Sequence, residues 1–227
     1  MEICDNIPGT RMHESLTYYK SVSKNKRKIK LLIKCSNFAY GTLEKLSKIK
    51  PIYKDEELAL LLISSKNFRS LCVCFKLLVT GNYYDVYIIL RTLLDSYLLM
   101  IYLKSKPKQV KKWIKGINFK VGNMQDELKH NEFKNLWSIL GNFIHTNYEA
   151  AIYNTYHINK IGKTRFMTAP IYEKELFGEA YSAIIYSYVK FFDTIRFCFG
   201  DLLIKEDKKR WHKDLRKLIL IINKMYT

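Results

Sequence analysis

The stretch YYDVYIILRTLLDSYLLMIYLK, residues 83–104, decides the fold of this chain. Apolar side chains fall on nearly every side of a helix built from it, which is typical of the most buried helix of a bundle. Asp85, Arg91 and Asp95 interrupt the stretch, and no uninterrupted apolar run approaches the ~20 residues that cross a bilayer. We therefore expect a central helix and no transmembrane segment.

Helical patterns lie on both sides of this central helix. Apolar residues at three- and four-residue steps predict a long basic helix over about 13–48, before Pro51. The next run begins with acidic residues at 55–57 and ends at Gly81, which are the usual signals of a helix start and stop. The sequence therefore predicts core helices over about 55–145.

The C-terminal third returns to helical patterns over about 172–225. Before it, the segment near 150–170 holds Gly162 and Pro170 among residues with β propensity, so a short hairpin and an ordered loop both stay open. No repeat and no Gly/Ser-rich or Pro-rich linker divides the chain. The fold class predicted is all-α, a helical bundle of five to seven helices in a single domain over residues 1–227.

Composition describes a globular chain. It has 227 residues, of which 48% are hydrophobic and 26% charged, and this content excludes wholesale disorder. Five cysteines are too few and too scattered for a secreted disulfide framework, so we expect reduced thiols. The first residues lack the basic start and apolar stretch of a signal peptide. The predicted localisation is therefore cytoplasmic.

Positive charge is the strongest compositional signal. The formal net charge is +18, which favours contact with RNA or another polyanion, although AT-rich coding also raises lysine content. Between residues 20 and 54 the only acid is Glu44, whereas the basic cluster at 205–216 is diluted by acids and is typical of a solvated helix face. The basic segment 20–54 would also suit an anionic membrane surface as an alternative partner. The candidate nucleic-acid-binding residues are Lys24, Lys26, Arg27, Lys28, Lys30 and Lys34.

Several familiar motifs are excluded by their spacing. The Gly162-Lys163-Thr164 tripeptide lacks the first glycine of a phosphate-binding loop. Cys72 and Cys74 are two residues apart, so on a helix they point in different directions and are better explained as buried thiols. No histidine spacing matches a zinc site, and the aromatic stripe of 172–199 is better explained as core. We expect no metal and no cofactor.

One polar constellation is a candidate for chemistry. Arg91 and Asp95 lie four residues apart on the most apolar helix, so they share a face and can pair. A buried ion pair adds little net stability, which makes it a functional candidate, although Arg91 could instead tie neighbouring helix ends together. His145, with Asn142 one turn before it, follows an apolar helix and is either a general acid or base or a capping residue.

These residues resemble the motifs of a known group. The segment LRTLLD, residues 90–95, followed by Tyr102-Leu103, resembles the L-R-x-L-x-E and Y-L helix of a group of bacterial helical proteins. The segment LGNFIH, residues 140–145, resembles their later L-S-x-x-x-H element. That group is similar to the HEPN superfamily of helical bundles. The resemblance covers about residues 55–150, with Asp95 in place of Glu and Gly141 in place of Ser.

The resemblance implies an effector that acts on or binds RNA. HEPN proteins are often dimeric ribonucleases or partners in toxin–antitoxin and phage-defence systems, so it implies a homodimer and a cognate antitoxin or nucleotidyltransferase. A metal-independent ribonuclease would use His145 as acid or base, Arg91 to stabilise the phosphate and Asp95 to orient Arg91. Because no arginine precedes His145 by four to six residues on its own helix, a non-catalytic module that binds nucleic acid or an acidic protein stays open as the alternative.

Overall fold

Helices account for most of the structure, a computed structural model that describes residues 10–49, 54–129, 138, 140, 141, 156–158, 164–166, 170–200, 202 and 205–226. The all-α class is confirmed. The described residues hold eight helices, more than the five to seven predicted. They are α1 (Thr10–Lys24), α2 (Lys26–Ile49), α3 (Asp55–Thr80), α4 (Tyr83–Ser105), α5 (Val110–Ile114), α6 (Val121–Leu128), α7 (Lys174–Phe199) and α8 (Lys205–Tyr226).

The predicted long basic helix is divided at Asn25. Its backbone still bonds in the helical pattern, because Asn25 N donates to Ser21 O at 3.1 Å and Asn25 O accepts from Ile29 N at 2.9 Å. The Asn25 amide also donates to Ser21 O at 3.0 Å and to the hydroxyl of Tyr172 at 3.1 Å. A side chain that competes for backbone groups in this way interrupts a helix. The prediction of one helix was therefore wrong at this position.

Helices α3 and α4 form an antiparallel pair with the predicted ends. Asp55, Glu56 and Glu57 occupy the first turn of α3, where the helix dipole favours negative charge. The Glu57 carboxylate also accepts a hydrogen bond of 3.2 Å from Lys54 N. Gly81 closes α3 with φ of 85°, a left-handed conformation that glycine adopts without strain. The local signals in the sequence thus set both ends of α3.

Helix α4 lies at the centre of the bundle, as its sequence predicts, and packs most extensively against α3 and α7. The hydroxyl of the fully buried Tyr97 donates to Ser187 O of α7 at 3.1 Å. Both α3 and α4 are long and apolar enough to cross a membrane, by length and composition alone. Core helices of soluble proteins pass the same test, and more than half of the apolar window of α4 is buried among the other helices.

After α4 the chain makes short helical segments. Pro107 begins a 3₁₀ turn, Pro107–Gln109, that leads into α5, so it starts a segment as well as ending α4. Helix α6 was not predicted from the sequence. The Glu127 carboxylate at its end accepts hydrogen bonds from Lys106 Nζ and, at 3.1 Å, from Tyr102 Oη. These contacts hold α6 against the last turn of α4.

The segment near 150–170 contains a short antiparallel hairpin. Strand β1 (Tyr156–Ile158) pairs with strand β2 (Thr164–Phe166), and Tyr156 lies opposite Phe166. This agrees with the hairpin alternative of the sequence analysis. Only the backbone of these six residues is described.

The C-terminal helices close the core with aromatic side chains. Phe177, Tyr181, Tyr188, Phe191, Phe192 and Phe199 of α7 are almost fully buried, so most of the aromatic stripe is core as expected, whereas Tyr186 and Phe197 are exposed. Helix α8 attaches through Trp211, whose indole donates to Thr42 Oγ1 at 2.9 Å. The Trp211 ring also stacks on Phe38 at 5.8 Å between centroids.

Candidate functional site

Arg91 and Asp95 form the ion pair that their spacing predicts. Arg91 Nη1 donates a hydrogen bond to Asp95 Oδ1, one turn along α4. The pair is not sealed in the core, because 18% of the Arg91 side chain and 36% of the Asp95 side chain are exposed. The pair is therefore half-buried, less enclosed than the expectation of a buried charge pair, and water partly screens it. The neighbours Ile88, Leu90 and Leu94 are apolar, yet both charged side chains stay partly exposed.

A cleft of about 340 Å³ adjoins Asp95. It lies between α3, α4 and the segment from α5 to α6, and Arg91 is not among the described residues that line it. Its polar groups are a carboxylate, an ammonium, two hydroxyls and an amide, and its apolar wall contains two aromatic rings. The lining residues are Lys66, Thr92, Asp95, Ser96, Leu99, Trp113, Asn118, Phe119, Val121 and Met124. We call this the Asp95 cleft.

His145 and Asn142 lie outside the described residues. Just before them, Leu140 is buried and Gly141 is helical, as the sequence predicts for the end of an apolar helix. The convergence of His145 with Arg91 stays a prediction. The described residues bring together Arg91 and Asp95 alone of the four candidate catalytic residues.

Three of the four described cysteines are buried thiols. Burial raises the pKa of the thiols of Cys35, Cys74 and Cys198 to about 12, so each stays protonated at neutral pH. Cys72 is exposed, which corrects the expectation that it is buried, and partial burial raises its pKa as well. Among the described residues no three His, Cys, Asp or Glu side chains are grouped to hold a metal ion.

The basic segment forms a cationic face on α2. Lys26, Arg27, Lys30 and Lys34 are exposed, and at 3.6 residues per turn they occupy about 100° of the helix circumference. The face extends about 12 Å along the axis, at 1.5 Å per residue. No carboxylate of the described residues pairs with any of these four side chains. We call these four residues the cationic face of α2.

Lys24 and Lys28, which were predicted with the same group, make different contacts. The ammonium of Lys24 lies 5.3 Å from the ring centre of Tyr172. The ammonium of Lys28 lies 5.3 Å from the ring of Tyr181 and 5.9 Å from the ring of Phe177. Cation–π contacts of this length attach the α1–α2 junction to the start of α7. These two lysines therefore contribute to packing, although Lys24 is also exposed, and their role in binding nucleic acid stays a prediction.

A second cationic surface was missed in the sequence. A cleft of about 630 Å³ lies between the end of α7 and the outer side of α8, and five of its nine lining residues are arginine or lysine. The cluster at 205–216 was interpreted as an ordinary solvated face because Glu206, Asp207 and Asp214 dilute it. The available signal was the recurrence of Lys209, Lys213 and Arg216 at steps of four and three.

Comparisons with known proteins do not assign this chain to a family. No family model matches the sequence, no curated protein matches it, and no solved structure matches the fold.

Proposed function

We propose that this protein binds single-stranded RNA through the cationic face of α2. One observation supports the proposal above the others. Four exposed cations lie side by side on one helix, without a carboxylate partner among the described residues. When these cations bind successive phosphates, the counterions of the RNA are released. This release supplies most of the affinity of a surface that binds nucleic acid without sequence preference.

The opposite side of α2 holds this face in place. Leu31, Leu32, Cys35, Ala39 and Leu46 of α2 are buried in the core. The helix therefore does not need to form when the ligand binds, and little conformational entropy is lost in presenting the four charges. A rigid helix that displays several cations suits the backbone of an RNA strand.

Exposed aromatic rings on the first two helices add support for RNA as the ligand. Tyr40 on α2 is 58% exposed, and Tyr18 and Tyr19 on α1 are 52% and 72% exposed. Proteins that bind single-stranded nucleic acid combine cations with aromatic rings, since every base can stack on a ring. The HEPN resemblance, with its RNA-directed members, points the same way.

The test is the affinity of the full-length protein for a fluorescent single-stranded RNA, measured by anisotropy over a salt series. The double variant Lys30→Glu with Lys34→Glu is expected to weaken binding at least tenfold. Each phosphate contact contributes about −0.7 to the slope of log affinity against log salt, so removing two cations is expected to reduce the slope by about 1.4.

The matched control is the double variant Lys111→Glu with Lys115→Glu. These exposed lysines of the α5 region have the same four-residue spacing, and the change lowers the net charge of +18 by the same four units. Equal losses in both variants, or binding that does not change with salt, would contradict the proposal. Binding to an acidic peptide or anionic vesicle but not to RNA would favour the other partners. A denaturing gel of the same RNA, with His145→Ala as control, reports any cleavage.

A further inference from the structure

The cleft between α7 and α8 combines charge with a concave shape. Its cationic groups come from two helices: Arg196 from the last turn of α7, and the rest from the outer side of α8. An apolar wall completes it. The lining residues are Arg196, Lys209, His212, Lys213, Leu215, Arg216, Lys217, Ile219 and Leu220. We call it the α7–α8 cleft. Its volume of about 630 Å³ is within the range of small-molecule sites.

Three of the cations have no ion-pair partner among the described residues. Lys209, Lys213 and Arg216 recur at steps of four and three, so they line one side of α8 over about 10 Å. The other two cations are paired on the surface, Arg196 with Asp193 at 3.3 Å and Lys217 with Asp214 at 3.7 Å. Among the described side chains of the cleft, positive charge therefore exceeds negative charge even after both carboxylates are included.

The base of the cleft is fixed to the core. Leu215 is buried, and Trp211, one turn before it, is anchored to Thr42 of α2 by the hydrogen bond of 2.9 Å. The cationic side chains thus project from a helix that is attached along its inner side. Three cations so placed, without a partner among the described side chains, repel one another, and this repulsion is relieved when an anion binds between them.

We propose that the α7–α8 cleft binds a compact soluble molecule that carries several phosphate groups. Phosphate fits the donor set, because a guanidinium donates two parallel hydrogen bonds to phosphate oxygens and lysine adds compact positive charge. Several phosphates are required, since a single one does not span three cations spread over two turns of helix. The apolar wall of Leu215, Ile219 and Leu220 accommodates a non-polar part of the ligand.

The experiment is calorimetric titration of the full chain with inorganic tripolyphosphate at fixed salt. The wild-type protein is expected to bind one equivalent. The variant Lys213→Gln with Arg216→Gln removes two charge-assisted hydrogen-bonding groups, so it is expected to lose at least about tenfold in affinity. The matched control is Arg210→Gln with Lys224→Gln, which removes one arginine and one lysine from exposed positions of α8 outside the cleft. The control is expected to stay within twofold of wild type.

Equal losses in the two variants would overturn the proposal, because they would show that net charge and not the cleft attracts the anion. The proposal would also be overturned if tripolyphosphate did not bind to the wild-type protein. The same holds if vesicles with phosphorylated headgroups bound and tripolyphosphate did not. Leu220→Glu, which adds a carboxylate at the apolar wall, is expected to weaken binding without a change in melting temperature. The variants of Lys30 and Lys34 keep the cleft intact, so the RNA proposal and this one fail separately.

Discussion

Replacing Gly81 with alanine tests the contact between the α3–α4 turn and the rest of the bundle. At φ of 85° an alanine costs about 1–2 kcal/mol, because its Cβ crowds the backbone. An added Cβ would also lie 2.7 Å from Thr17 Cγ2 and 2.8 Å from Ile171 O. Thr17 cannot rotate away freely, since its hydroxyl donates to Pro170 O at 3.0 Å. Forcing an extra methyl group into such a site costs about 1–3 kcal/mol more.

The expected total is about 3 kcal/mol, which lowers the melting temperature of a chain of this size by about 6–12 °C. Gly116→Ala is the control. Gly116 has nearly the same φ, 83°, and nothing within 4 Å of an added Cβ, so it carries the backbone cost alone. Circular dichroism melts of both variants at one pH give the comparison. If Gly81→Ala is no less stable than Gly116→Ala, the turn does not pack against Thr17 and Ile171 as described.

Three further outcomes are expected. Arg91→Ala should lower the free energy of unfolding in urea by about 1–2 kcal/mol, between the values for surface and buried ion pairs, and adding Asp95→Ala should restore part of that loss. A loss above about 3 kcal/mol would mean that the ion pair is fully buried. In a variant that combines Cys72→Ser with Cys4→Ser, the remaining buried thiols have a pKa of about 12, so a thiol reagent at pH 8 should label them only after denaturant is added. Fast labelling of the folded variant would contradict their burial. The hydrogen bond from Lys106 lowers the pKa of Glu127, so the stability that Glu127 contributes is present above its unfolded pKa and disappears as pH falls through its folded pKa. Between pH 7 and 3 the melting temperature of Glu127→Gln should therefore depend less on pH than that of the wild type. Equal pH dependence would show that Glu127 does not stabilise the fold in this way.

The parts of the fold that sequence predicts are those whose causes are local. The ends of α3 follow from acids in its first turn and from Gly81, both within a few residues of the boundary. The central position of α4 follows from apolar residues on all its sides, which only a helix enclosed by others can bury. The half-buried state of Arg91 and Asp95 does not follow from that pattern. The exposure of these two side chains depends on which other segments of the chain pack against that turn of α4.

The features that sequence missed depend on residues far along the chain. The interruption at Asn25 involves the hydroxyl of Tyr172, 147 residues away. Helix α6 is held by Tyr102 and Lys106 of another helix, so its own eight residues carry little signal. The α7–α8 cleft exists because Arg196 meets a face of α8, which no spacing within either helix predicts. Long-range packing decides each of these cases.

The stacking of Lys24 and Lys28 on aromatic rings has a consequence for chemical modification of this protein. Acetylation removes both the charge of a lysine and its attraction to a ring. Treating the whole chain with an acylating reagent would therefore loosen the attachment of the first two helices to the start of α7 as well as discharge its surface. A loss of ligand binding after such treatment would combine the loosened helix packing with the loss of surface charge. Single-site replacements are needed to separate these two effects.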